Sequence, residues 1–135
     1  MKKLLMLIIS VSMLLTLCSC SKYTNSYSAF GMMRNNTTHS ANASFASLNG
    51  RLVFQLKRSD SGEGNIAYSV SCDSGEISIF YDIYDDKCEL ITAKAGENKE
   101  GSGGYIESGK TVYIILEATN AKGSFSVELN DTPEQ

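Results

Sequence analysis

The sequence is short of the residues that most often carry chemistry: in 135 residues it has no tryptophan, one proline and one histidine. Without tryptophan, any flat ring offered to a sugar has to come from phenylalanine or tyrosine. With His39 as the only imidazole, acid–base catalysis would need a nucleophile and an orienting partner gathered around that one residue. Its neighbours Thr37, Thr38 and Ser40 are ordinary in a Ser/Thr/Asn-rich segment, so His39 reads as a plain surface residue. The lone proline, Pro133, lies in the tail. Clustered positive charge is missing too. Twelve Lys and Arg stand against 15 Asp and Glu for a net charge of −3, and the one basic group, Arg51, Lys57 and Arg58, reads as a solvated strand face. That balance argues against nucleic acid and anionic headgroups as partners. The Gly101 to Gly104 run lacks the Lys-Ser/Thr ending of a phosphate loop. No stretch carries a helical apolar stripe, and the apolar run Leu4 to Leu17 falls short of the roughly 20 residues that span a bilayer.

What is present begins at the N-terminus. Lys2 and Lys3 precede that apolar run, and Leu17-Cys18-Ser19-Cys20 closes it. This order of zones is that of a cleaved export signal. Cys20 has an aliphatic residue at −3 and small residues at −2 and −1, whereas Cys18 would place the bulky Leu17 at −1. The stretch resembles the bacterial lipobox. The resemblance implies a signal peptide over 1–19, Cys20 as a lipid-bearing first mature residue, and a location on the extracytoplasmic face of the cell membrane. Two acyl chains, at about 0.8 kcal/mol per buried methylene, hold where one would be marginal. An ordinary secretory signal with incidental cysteines is the alternative. Removing Lys2 and Lys3 takes the charge from −3 to about −5. Residues 20–41 then read as the lipidated cysteine and a polar tether. Phe30, Met32 and Met33 hint that part of this segment docks on the domain or adds an edge strand.

From Ala43 onward the apolar period is two. Leu52, Phe54 and Leu56 alternate with polar residues, as do Ile66, Tyr68, Val70 and Cys72. The same holds for Ile77, Ile79, Tyr81 and Ile83, for Val112, Ile114, Leu116 and Ala118, and for Phe125, Val127 and Leu129. Such strands belong to antiparallel sheets covered on one side. Asn49-Gly50, Asp73-Ser74-Gly75 and Asn120-Ala121-Lys122-Gly123 read as hairpins, and Glu97 to Gly104 as a Gly-rich loop. The expected fold is all-β: a two-sheet antiparallel β-sandwich, jelly-roll-like, of about seven to eight strands over 42–131, with 132–135 as a tail.

Gly75, Ile77 and Ile79, followed by Ile106, Gly109, Tyr113, Ile115, Glu117, Gly123, Phe125, Val127 and Leu129, give the stretch from Gly75 to Leu129 a further likeness. It resembles the C-terminal half of bacterial pre-peptidase C-terminal domains, and the whole chain looks like small bacterial lipoproteins. The resemblance implies a jelly roll in an accessory or binding role and no catalytic residue.

On the polar side of their strands, Phe80, Tyr84, Tyr113 and Ile115 would form an exposed apolar patch if those strands are neighbours, marking a binding surface. The alternative is that 28–41 or a loop covers them. Asp82, Asp85, Asp86 and Glu89, or the Asp60 to Asn65 turn, could offer oxygens to Ca²⁺, but neither has the cadence of a calcium loop. Cys72 and Cys88 have export conditions that permit a disulfide, and a strand map that disfavours it by placing them at opposite ends of an intervening strand. They show no metal or redox spacing. The expected role is a non-catalytic ligand-binding or surface-display module, with an envelope protein or a glycan as partner. The alternatives are an accessory lipoprotein that contacts another envelope protein by strand addition, and, more distantly, a small hydrolase.

Overall fold

A computed structural model describes residues 23–58, 64–83 and 86–131. The signal peptide, Cys20, Tyr84, Asp85 and most of the Asp60 to Asn65 turn lie outside the described residues. Among the described residues, seven antiparallel strands make up the fold: β1 (Ser26–Phe30), β2 (Met33–Asn36), β3 (Ser40–Lys57), β4 (Gly64–Asp82), β5 (Lys87–Lys94), β6 (Glu97–Ile106) and β7 (Thr111–Asp131). They form one hydrogen-bonded sheet in the order β1-β3-β7-β4-β5, with β2 also on β3 and β6 also on β4.

The length of β3 shows how that sheet makes a core. Its 18 residues would span roughly 55 Å if straight. Instead the Lys57 N–H donates to the carbonyl of Thr38 at 2.8 Å, so the two ends of β3 meet. β3, β7 and β4 all change register at one level, near Phe45 to Gly50 on β3 and Cys72 to Glu76 on β4. The short strands turn at the same level: β1 passes to β2 through Gly31-Met32, and β5 to β6 through Ala95-Gly96. The sheet is therefore five ribbons wide and folded once along a crease. One layer holds β1, β5 and the halves of β3, β7 and β4 that pair with them; the other holds β2, β6 and the remaining halves. The result is a jelly-roll-like sandwich whose layers are continuous through the crease.

Each ribbon carries one left-handed residue at the crease: Gly31, Gly50, Gly75, Gly96 and, on β7, Asn120 with φ 45°. Gly75 shows why. At φ +74° a side chain is strained, and a Cβ there would lie 2.2 Å from the Thr119 carbonyl oxygen. The three expected hairpins are thus bends within continuous strands. Asn-Gly and Asp-Ser-Gly supply the positive φ that a bulge needs as well as a turn does, and each ribbon passes through the bend into the other layer instead of returning beside itself.

Inside, Phe54 of one layer meets Phe125 of the other with ring centroids 5.5 Å apart. Leu52, Leu56, Ile66, Ile77, Ile79, Val112, Ile114, Leu116 and Val127 are fully buried around them. The open end opposite the crease is stitched by Leu129 N–H to the His39 carbonyl and Arg58 N–H to the Lys110 carbonyl, both at 2.9 Å. Gly64 sits there because a Cβ would lie 1.7 Å from the Asn130 carbonyl oxygen and 2.5 Å from the buried Arg58 guanidinium.

Two expectations change. Glu97–Ile106 is a strand, β6, rather than a loop. Its glycines leave room for neighbours: a Cβ on Gly101 would lie 2.8 Å from the Tyr68 hydroxyl, and one on Gly103 would lie 3.1 Å from Leu90. The apolar cover comes from the adjacent strands, so β6 needs none of its own. Residues 26 and 27, read as tether, belong to a strand, and 28–36, left open between docking and an added edge strand, continue it: together they form the edge strands β1 and β2 on β3.

Candidate binding face

The outer face of the β1–β5 layer gathers the charged and aromatic residues into three cross-strand rows. Nearest the crease lie Arg51, Glu117, Ser78 and Thr92; next Val53, Ile115, Phe80 and Glu89; nearest the open end Gln55, Tyr113, Asp82 and Lys87. Alternation sets these residues outward, and pairing across β3, β7, β4 and β5 makes them neighbours.

Glu117 is the centre of charge. Its Oε1 accepts from Arg51 Nη2 at 2.8 Å and from Lys87 Nζ at 2.7 Å. Burial would raise its pKa, but the hydrogen bonds and charges of Lys87 and Arg51 outweigh that and hold the carboxyl below the usual glutamate range. To reach Glu117 from the open-end row, Lys87 crosses Phe80, its ammonium 4.2 Å from the ring centroid. Beside Arg51 and Glu117, a shallow depression of about 440 Å³ is bounded by Thr24, Ser26, Gly50 and Ala118.

The segment before β1 lies across the open-end row. The Tyr23 ring packs on Tyr113 at 5.6 Å, its hydroxyl donates to the Asp82 carboxylate, and Asn25 Oδ1 accepts from the Val53 N–H at 2.8 Å. Phe80 and Tyr113 are half-buried neighbours across adjacent rows. Ile115 is corrected: it is fully buried in the middle of the grid and belongs to the floor of the face, not to its contact surface. Tyr23, rather than 28–41, covers Tyr113.

Of the other residues singled out in the sequence, Asp82 and Glu89 belong to this face, while His39, Cys72 and Cys88 take no part in its rows. His39 Nδ1 lies 2.9 Å from the Lys57 carbonyl oxygen at the open end. Asp82 is buried, Glu89 accepts from the Thr92 hydroxyl, and no group of three or more metal-ligating side chains occurs among the described residues. Cys72 and Cys88 are free thiols. β4 runs on past Cys72 through the crease, and Cys88 stands opposite Tyr81, nine residues further along β4. Burial pushes the Cys72 thiol up, and the charges of Asp73, Glu76 and Glu97 add to that.

Arg51, Lys87, Glu117 and Tyr23 escape sequence reasoning as a group. Arg51 and Glu117 are 66 residues apart, and only the β3–β7 register joins them.

No known protein family matches this chain, and neither does any curated protein sequence. Among solved structures, it is similar to a family 61 carbohydrate-binding module in complex with β-1,4-galactotriose, at 12% identity and a TM-score of 0.43, covering 75% of this chain and 69% of that one. It is also similar to a variant of a family 29 carbohydrate-binding module complexed with mannohexaose, at 12% identity, 82% coverage of each chain and a TM-score of 0.42. A family 4 module follows at 9% identity, with coverage of 77% and 79% and a TM-score of 0.38. Similarities at this level decide no ligand.

Proposed function

We propose that this protein is a non-catalytic glycan-binding module, displayed outside the cell on a lipid carried by Cys20. One observation carries the reading: an ionised Glu117, held between Arg51 and Lys87, stands beside the Phe80 ring and an open depression. A sugar hydroxyl both donates and accepts, so a carboxylate and a guanidinium side by side suit it. The C–H face of the same sugar suits an aromatic ring. Lys87 is exposed and swings off Phe80 at modest cost: a surface cation–π contact is worth about 0.5–1 kcal/mol, its partly exposed ion pair with Glu117 a similar amount, and Arg51 still holds the carboxylate. The test is titration calorimetry of the mature protein against neutral oligosaccharides, starting with β-1,4-galactan and mannan fragments. Binding should weaken at least about tenfold, or about 1.4 kcal/mol, in both Glu117→Gln and Phe80→Ala. Absence of any oligosaccharide binding, or full binding by both variants, rejects the reading.

The accessory reading has its own observation. Phe30 and Met33 are 76% and 77% exposed on the edge strands β1 and β2, where a partner strand would add. A photocrosslinker at Phe30 that captures one envelope protein, with no oligosaccharide binding, would favour it.

A further inference from the structure

The tether expected between the lipid and the domain is too short to act as one. Tyr23 is already fixed to the fold by its ring on Tyr113 and its hydroxyl on Asp82. Only three residue steps separate it from Cys20, a reach of roughly 11 Å at full extension. Tyr113 and Asp82 are register partners in the row nearest the open end, so the leash enters the domain at that end and not at the crease. We infer that the domain is held with its open end against the lipid headgroups, Tyr23 being the pin that sets this orientation. The inference rests on the lipid anchor at Cys20 proposed above.

Among the described residues of this end, Lys57, Asp86, Glu107 and Lys110 are exposed. The acidic charge of the whole domain would not draw it to a bilayer; the leash does so. The crease, with Asp73, Ser74 and Lys122 exposed, then points away. From Tyr113 to Asn120 at the crease, β7 spans about 23 Å, more than twice the reach of the leash. Glu117 stands four residues, roughly 13 Å, along β7 from Tyr113, so the depression beside it lies on the crease side of the pin and faces a ligand from outside the cell.

The absence of tryptophan makes the test direct, since any introduced tryptophan is the only one. Gln55→Trp and Thr38→Trp place it at exposed open-end positions, and Lys122→Trp places it at the exposed crease. The full lipidated protein is reconstituted into phosphatidylcholine vesicles that contain phosphatidylglycerol and a nitroxide-headgroup lipid. Quenching at the two open-end positions should exceed that at Lys122 severalfold. Adding Tyr23→Ala to Gln55→Trp should shrink the difference. Equal quenching at both ends, or stronger quenching at the crease, overturns the orientation; an undiminished difference without Tyr23 overturns the pin. Mass spectrometry of the N-terminal peptide separates the two levels. A lipidated protein with equal quenching defeats this inference alone, whereas an unmodified Cys20 defeats the anchor and this inference together.

Discussion

The two outward faces of the sandwich are made by the same three long strands and differ in almost everything else. Beyond the crease on the β2–β6 side, the rows read Met33, Ser44, Ser124, Ser71 and Asn98, then Asn35, Asn42, Ser126, Ser69 and Glu100. Apart from Met33 at the β2 edge and Glu100 on β6, they are serines and asparagines, and Ser71 Oγ donates to Asn98 Oδ1 at 2.6 Å. On the β1–β5 side, the corresponding rows hold Arg51, Glu117, Phe80, Tyr113, Asp82 and Lys87, tied together and partly covered by Tyr23. A backbone that bends at a shared crease can carry two chemistries on one sheet, because alternation fixes only which side chains point outward. The serine–asparagine face is solvated and self-satisfied. The other concentrates charge and aromatic surface where a ligand can use them.

The comparison can be broken outright by separating the layers. Phe54 joins them through Phe125 and lies under the Arg34 guanidinium, 4.5 Å from the ring centroid. Phe54→Ala should cost about 3–5 kcal/mol, read as a lower midpoint in urea denaturation. Because one folded sheet carries both faces, a tryptophan reporter on either face should report the same earlier transition. Two separate transitions would mean that the faces are independent units.

A smaller effect sharpens the charged face. Glu117→Gln should lower stability at neutral pH by only about 0.5–1 kcal/mol, since the three side chains are partly exposed and screened. Its pH dependence is more telling. Glu117 is held below the ordinary carboxyl value of 4.5, so the native protein binds fewer protons than the unfolded chain in acid. Its contribution is complete above that value and is lost as pH falls through the lowered native one. The gap between wild type and variant should close as thermal melts are taken from pH 7 down into acid. A gap that stays constant would show that the ion pairs do not stabilise the fold.

The smallest effect is expected on the opposite face. Ser126→Ala should change stability by less than about 0.5 kcal/mol and leave oligosaccharide titrations unaltered. A loss of binding there would move the site across the sandwich.

Much of the inward half of this architecture is legible in the chain. Every apolar alternation from Leu52 to Leu56, Val112 to Ala118 and Phe125 to Leu129 lands in the core, because a period of two has one structural meaning once a sheet forms. The glycine signals are legible only by half. Asn49-Gly50 and Asp73-Ser74-Gly75 announce positive φ, and a hairpin and a crease need it equally. Which of the two occurs depends on whether the following strand returns beside its predecessor or continues along a third. Glu97 to Gly104 is silent for a related reason: the side chains that fill the space over its glycines belong to Tyr68 and Leu90.

The sequence by itself determined that the domain is all-β and antiparallel, and which side of each strand faces the core, because these follow from local alternation and the cost of exposing apolar surface. The tertiary structure decided that the sheet is one piece folded at a crease, that Ile115 is floor rather than surface, and that Arg51, Lys87 and Glu117 share one carboxylate oxygen. Those depend on register between segments dozens of residues apart. A shift of one residue would send every side chain to the other face without altering a single local propensity.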